Sequence, residues 1–242
     1  MKTGSWNRLV IITTAILMSA GAHATVINAT DTGWYQDNGV HAPNNTNYAV
    51  GESGGFEHRN WFVFDLSSFG AISSAVLRAY LIASPPGTGP GYISNDASET
   101  WSLFDVTTSI PFLTTGNGGV SAFADLGGGI SYGSAIVSAL DVGGYIEVVL
   151  NEAALASLST AGGLWAIGGA LTTLSGTGNS QESLFSWSHE DRQVELVITE
   201  NTVPAPATLA LLSLALAGLG WSRRKAGLLL KLHTRLNEKG VI

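Results

Sequence analysis

The stretch "RNWFVFDLSSFGAISSAVLRAYL", Arg59 to Leu81, decides the fold. Its first third, Arg59–Leu66, is rich in aromatic and β-branched residues. Phe62 and Phe64 fall on one face of an extended chain, and Trp61 and Val63 on the other. The same period of two returns in "AVLRAYLIA", Ala75–Ala83. Val76, Tyr80 and Ile82 point one way with Arg78, while Leu77, Ala79 and Leu81 point the other. A helix would repeat near 3.6 residues, so this is a pair of strands. Working outward, further strands are predicted at Trp101–Val106, Ile130–Val137, Tyr145–Leu150, Leu164–Ala170, Ser183–Trp187 and Arg192–Thr199. Short strands separated by Gly, Asn, Asp and Pro turns define an all-β chain, an antiparallel β-sandwich or jelly roll.

One short helix interrupts the pattern. In "NEAALASLSTAGG", Asn151 is an N-cap and Glu152 places an anion in the first turn. Ala154, Leu155 and Leu158 supply an apolar stripe, and Gly162 ends the helix. This helix is expected to plug one end of the sandwich. The segments "SPPGTGPG" (Ser84–Gly91), "TTGNGG" (Thr114–Gly119) and "LSGTGNSQ" (Leu174–Gln181) read as loops. No internal repeat is present.

The two ends have a different character. Lys2 and Arg8 precede an apolar run, Leu9–Ala22, and Ala22-His23-Ala24 fits a small-x-small cleavage site. Residues 1–24 are therefore expected to be a secretory signal peptide. Near the other end, Ala207–Trp221 is a run of 15 uncharged residues, preceded by Pro204 and Pro206 and followed by Arg223, Arg224 and Lys225. As a transmembrane helix it would measure about 22 Å against a hydrocarbon core of about 30 Å. The cations would hold its far end in the cytoplasm. Residues 226–242 form a basic tail, with Leu229, Leu232 and Leu236 on one helical face and Lys231, Arg235 and Lys239 around it. An interfacial helix and a functionless extension both fit that pattern.

Between these ends, residues 25–202 are long enough for one domain with a real core. There is no cysteine, which excludes disulfides, thiolate catalysis and cysteine metal sites. The only cations of this segment are Arg59, Arg78 and Arg192, against 17 acidic residues, a net charge of −14. Such a domain repels nucleic acid and anionic membrane surfaces and suits neutral or cationic partners, glycans and calcium among them.

Val203–Lys225 resembles the PEP-CTERM sorting signal of Gram-negative bacteria, a Pro-Glu-Pro-type motif followed by an apolar helix and a basic cluster. Val203, Pro204, Ala205, Pro206 and Ala207 occupy the motif, with Ala205 in place of the central glutamate. Arg223, Arg224 and Lys225 form the cluster. The resemblance implies export through the inner membrane and transient anchoring there. An exosortase-type membrane protease then processes the chain, which passes to the cell surface or the exopolysaccharide matrix. A second resemblance lies in the opening stretch. Phe64-Asp65-Leu66 followed by Ser74-Ala75-Val76-Leu77-Arg78-Ala79-Tyr80 is similar to a strand–turn–strand segment of jelly-roll domains in extracellular bacterial proteins. Some of these look like polysaccharide-binding modules.

Candidate chemistry is sparse. "GESGG", Gly51–Gly55, matches G-x-S-x-G but leads into a strand where a nucleophile elbow needs a helix, so it reads as a turn. No phosphate-binding loop or zinc-protease helix is present. His41, His58 and His189 show no metal-ligand spacing and read as solvated loop residues. Asp31, Asp37, Asn44 and Asn45 are candidate calcium ligands, although Asp37-Asn38-Gly39 also reads as a plain turn. Trp61 reads as core. Trp34, Tyr35 and Tyr92, beside turns, are expected to be exposed and are candidate glycan-stacking residues. The expectation is a non-enzymatic surface or matrix protein without a cofactor, with glycan or calcium as the ligand. Two alternatives stay open: a polysaccharide-active enzyme using two of Asp65, Asp105 and Glu147, or a purely structural or adhesive component.

Overall fold

The computed structural model describes residues 24–83, 91–175, 181–185 and 193–201, with the isolated Ala215. The strands belong to one compact unit, residues 22–201. They are β1 (Ala24–Asn28), β2 (Asp31–Gln36), β3 (Val50–Ser53), β4 (Phe56–Asp65), β5 (Ile72–Leu81), β6 (Tyr92–Ile93), β7 (Glu99–Asp105), β8 (Ser131–Val137), β9 (Gly144–Val149), β10 (Leu164–Leu171), β11 (Ser183–Leu184) and β12 (Val194–Glu200). Every pairing is antiparallel. One sheet has the order β1-β12-β5-β9. The other has eight strands, β6-β11-β3-β4-β10-β7-β8, with β2 also pairing with β4. The all-β sandwich expected from the sequence is the fold observed.

The decisive stretch sits at its centre. Leu77 and Leu81 of β5 meet Ile146 and Val148 of β9 and Leu196 and Ile198 of β12 on the inner face of the small sheet. Phe62, Phe64, Trp101, Leu103 and Ile167 face them from the large sheet. Burying one such side chain contributes about 1.5–3 kcal/mol. Trp61 and Val63, the alternate residues of β4, are buried too, but in a second cluster. There they pack with Tyr35 and Ala166 beneath helices α1 (Ile110–Thr114) and α2 (Gly119–Asp125). A strand covered on both faces explains why β4 reads as a nearly continuous apolar run.

Helix α3 (Glu152–Ala161) lies where the sequence puts it. The Asn151 side chain accepts a hydrogen bond from the Ala154 N–H, and Gly162 ends the helix at φ 58°. It packs on β5 of one sheet and on β8 and β10 of the other, closing the sandwich edge. The expectation of a single helix is corrected: α1, α2 and a 3₁₀ turn at Ala139–Asp141 are also present. Helices of five and seven residues carry too little periodicity to be read and are marginal alone. Tertiary contacts hold them. The Tyr35 hydroxyl lies 2.9 Å from the Leu113 carbonyl, and Arg59 donates to the Phe123 and Ala124 carbonyls at 3.2 and 3.3 Å. A cation at that helix C-terminus is favoured by the dipole's negative end.

The expected transmembrane helix Ala207–Trp221 apart from Ala215, the signal peptide up to residue 23 and the basic tail lie outside the described residues, as do residues 84–90 and 176–180. Among the described residues no helix is long and apolar enough to cross a membrane.

Candidate functional site

The aromatic residues expected to face solvent do not. Tyr35 is 0 %, Trp34 6 % and Tyr92 8 % exposed. Asp31–Gln36 is strand β2: α1 and α2 cover Tyr35 on one face, and Trp34 on the other packs against His41 and His58. Tyr92 pairs into the large sheet and its hydroxyl donates to the Asp96 carbonyl at 2.9 Å. None of the three offers an open ring face.

The histidines are corrected as well. His58 is buried in β4. Its Nδ1 donates to the Phe56 carbonyl at 3.1 Å, which leaves Nε2 to accept from the Gln36 amide at 3.1 Å. His41 stacks on Tyr35 at 4.8 Å, and its Nδ1 donates to the Trp34 carbonyl at 2.6 Å. Burial lowers both imidazole pKa values, against the opposing pull of these backbone carbonyls. His189 lies outside the described residues.

Two of the candidate calcium ligands are engaged by neighbouring backbone. An Asp31 carboxylate oxygen accepts from the Thr32 N–H at 2.8 Å, and the Asn45 side chain accepts from the Asn47 N–H at 3.0 Å. Asp37 opens the turn to Val40, and Asn44 is exposed. Such side-chain-to-backbone bonds are ordinary turn chemistry. The three carboxylates of the enzyme alternative are also spent separately. Asp65 accepts from the Ser67 N–H, Asp105 from the Ile130 N–H, and Glu147 pairs with Arg78 at 2.9 Å. Arg78 also holds Glu195 at 2.9 Å across β9, β5 and β12.

"GESGG" is the turn it was read as. Ser53 pairs with Phe56, and Gly54 and Gly55 adopt φ of 63° and 81°, a two-residue hairpin loop. Ser53 is thus a strand residue beside a hairpin.

Two arrangements escape the sequence. Asp96, Glu99 and Glu182 bring carboxylate oxygens within 4.8 Å of one another. Glu99 and Glu182 are 0 % and 2 % exposed. Ser94 donates to Glu99 at 2.6 Å, and the Ser175 N–H donates to Glu182 at 2.8 Å. The pairing of β6 with β11 joins residues far apart in the chain, so no local spacing announces them.

The second is a cleft of about 280 Å³ between the β7–α1 loop, β8, the C-terminal half of α3 and the start of β10. Thr108, Ser109, Tyr132, Ser157 and Thr160 supply hydroxyls, and Ile110, Leu164 and Trp165 apolar surface. Tyr132 and Trp165 stack at 6.1 Å and 15°, and Trp165 Nε1 donates to Ser157 Oγ at 3.0 Å. Burial raises the Tyr132 pKa, so the phenol stays protonated. Beneath the loop, burial alone would raise the pKa of Asp125. Hydrogen bonds from Thr107 and Thr108 more than offset this and hold it below the ordinary value. The five hydroxyls come from three separate elements, each individually unremarkable in sequence.

The fold and these features define an all-β sandwich module. Residues 202–225 match the PEP-CTERM protein-sorting motif. The motif implies export, C-terminal anchoring and exosortase processing before surface display. It begins two residues after the end of β12, and it covers Val203, Pro204, Ala205, Pro206, Arg223, Arg224 and Lys225. No curated protein matches the chain.

Proposed function

We propose that this chain is the precursor of a cell-surface or exopolysaccharide-matrix protein whose β-sandwich is a non-enzymatic, glycan-binding module. The observation that carries the sorting half is the motif match following directly on the last strand. The acidic domain suits a neutral ligand and disfavours nucleic acid. The uncharged, hydroxyl-lined cleft supports a sugar, a role that passes from Trp34, Tyr35 and Tyr92 to other residues. The absence of catalysis is supported by the state of the acids. Glu99 and Glu182 are buried under hydroxyl donors, whereas a general acid must reach its substrate. A structural or adhesive role is the second reading. It is favoured by Ile136, Leu140 and Val149, large apolar side chains left exposed on and beside β8 and β9.

Intact-mass spectrometry of the protein from its native host tests the sorting half. The mature species is expected to lack Ala207–Lys225. A dominant species that retains this peptide would mean that the tail only anchors. Retention of the protein on the host's immobilised exopolysaccharide tests the glycan half, and free passage through the column would leave the adhesive reading.

A further inference from the structure

We infer that the cleft between α3 and the β7–α1 loop binds a single neutral sugar ring; this rests on the glycan-binding reading above. Four features of the cleft converge on that ligand class.

The first is polarity without charge. Five hydroxyls line the cleft and no ionised side chain does. The nearby carboxylates are turned to the backbone, Asp125 to the N–H groups of Thr107 and Thr108, and Asp105 to that of Ile130. A phosphate or carboxylate ligand would find no cation there, within a strongly acidic domain. The second is free hydrogen-bonding capacity. The Ser109 hydroxyl precedes α1 without making a side-chain capping bond. The Thr160 hydroxyl donates to the Ala156 and Ser157 carbonyls, so its oxygen lone pairs remain as acceptors. One wall therefore donates and accepts while the other accepts, which suits neighbouring hydroxyls of a sugar.

The third is the apolar component. Ile110 and the exposed Leu164 supply surface for the C–H groups of a ring, and the buried Tyr132–Trp165 stack backs them. Trp165 is fixed by its bond to Ser157, so this wall is preorganised. The fourth is size. A volume of about 280 Å³ falls just below the range of about 300–1,000 Å³ usual for ligand pockets. That is room for one ring and not for a length of chain, so the site would take a chain end or a free monosaccharide.

The test uses the full chain in a zwitterionic detergent without sugar head groups. Ligand-observed saturation-transfer NMR is run with glucose, galactose, mannose, N-acetylglucosamine and the anionic control glucuronate. In parallel the chain is passed over immobilised host exopolysaccharide. At least one neutral sugar is expected to bind at millimolar concentration, with glucuronate silent. Ser109→Ala and Thr160→Val remove one hydroxyl each from exposed positions, and each is expected to weaken binding about fivefold. Ser109→Tyr blocks the mouth and is expected to abolish it; an unchanged melting curve shows that each variant folds. Transfer to a terminal ring of an oligosaccharide of the bound sugar would identify chain-end capture, and transfer to the monosaccharide alone would identify capture of the free sugar. Both outcomes support the site. Binding that survives Ser109→Tyr, equal binding of glucuronate, or retention on exopolysaccharide with silence across the panel would overturn the cleft and leave the glycan reading standing. Silence in both arms would overturn both.

Discussion

Gly51 gives the sharpest test of how the large sheet is assembled. It sits in β3 at φ 103°, a region that side chains rarely adopt. It pairs with Ser183 of β11. A Cβ at this position would run into the Glu182 carbonyl oxygen, with Leu171 Cδ1 at 2.7 Å and Ser183 Cα at 3.0 Å. Gly51→Ala must therefore move one backbone against another. Backbone strain costs about 1–3 kcal/mol. Opening the strand pair breaks the bond from the Glu52 N–H to the Glu182 carbonyl, 2.7 Å between two buried residues, at about 1–3 kcal/mol more. The expected loss is about 2–6 kcal/mol. With a urea slope of about 2 kcal/mol/M, the unfolding midpoint of residues 24–201 should fall by about 1–3 M. The control is Gly54→Asn at the hairpin tip. Its φ is 63°, nothing lies within 4 Å of its Cβ, and Asn tolerates this conformation, so the midpoint should move by less than about 0.3 M. A Gly51→Ala midpoint within about 0.5 M of the parent would refute the apposition of β3 and β11.

Other tests follow from the same structure. His41 and His58 have folded-state pKa values below the unfolded value near 6.5, so the unfolded chain binds more protons in acid. Their contribution is present above the unfolded pKa and is lost as pH falls through the folded values. Melting temperature should therefore drop below pH 6.5, and less steeply in His58→Gln. Arg78→Met leaves Glu147 and Glu195 facing each other without their shared cation, and should cost about 1 kcal/mol by denaturant titration, since the pairs are partly solvated. Asp31 and Asn45 already serve backbone N–H groups, so millimolar calcium should leave the melting temperature within about 1 °C of the chelated sample. Ala205→Glu restores the acidic centre of the sorting motif and should raise the processed fraction in the native host, read by immunoblot.

How much of this was legible in sequence depends on the range of the forces involved. Leu77, Ala79 and Leu81 announce a buried face because alternation is local, and α3 is legible from end to end because Asn151 and Gly162 mark its caps. Strand β2 was missed because Asp31, Thr32 and Gly33 look like turn residues. It is β4, reached from the far side of a hairpin, that makes them strand. The burial of Tyr35 is illegible for the same reason: its cover, α1 and α2, comes from residues some 80 positions later, while Trp34 on the other face meets His41 and His58. The cleft is a meeting of four elements, and only the tertiary fold sets Ser109 opposite Thr160.

The order β1-β12-β5-β9 has a consequence for timing. A chain exported amino end first delivers β1 at once and β12 last, yet β12 is the partner of β1 and lies between it and β5. Until β12 arrives, the small sheet has only the β5–β9 pair, and a lone two-stranded ribbon is marginal in water. Closing the widest loop of the domain is thus the final step, and pairings so distant in sequence form slowly. The topology works as a delay: the small sheet, and with it the closed sandwich, is completed only when the last strand has crossed.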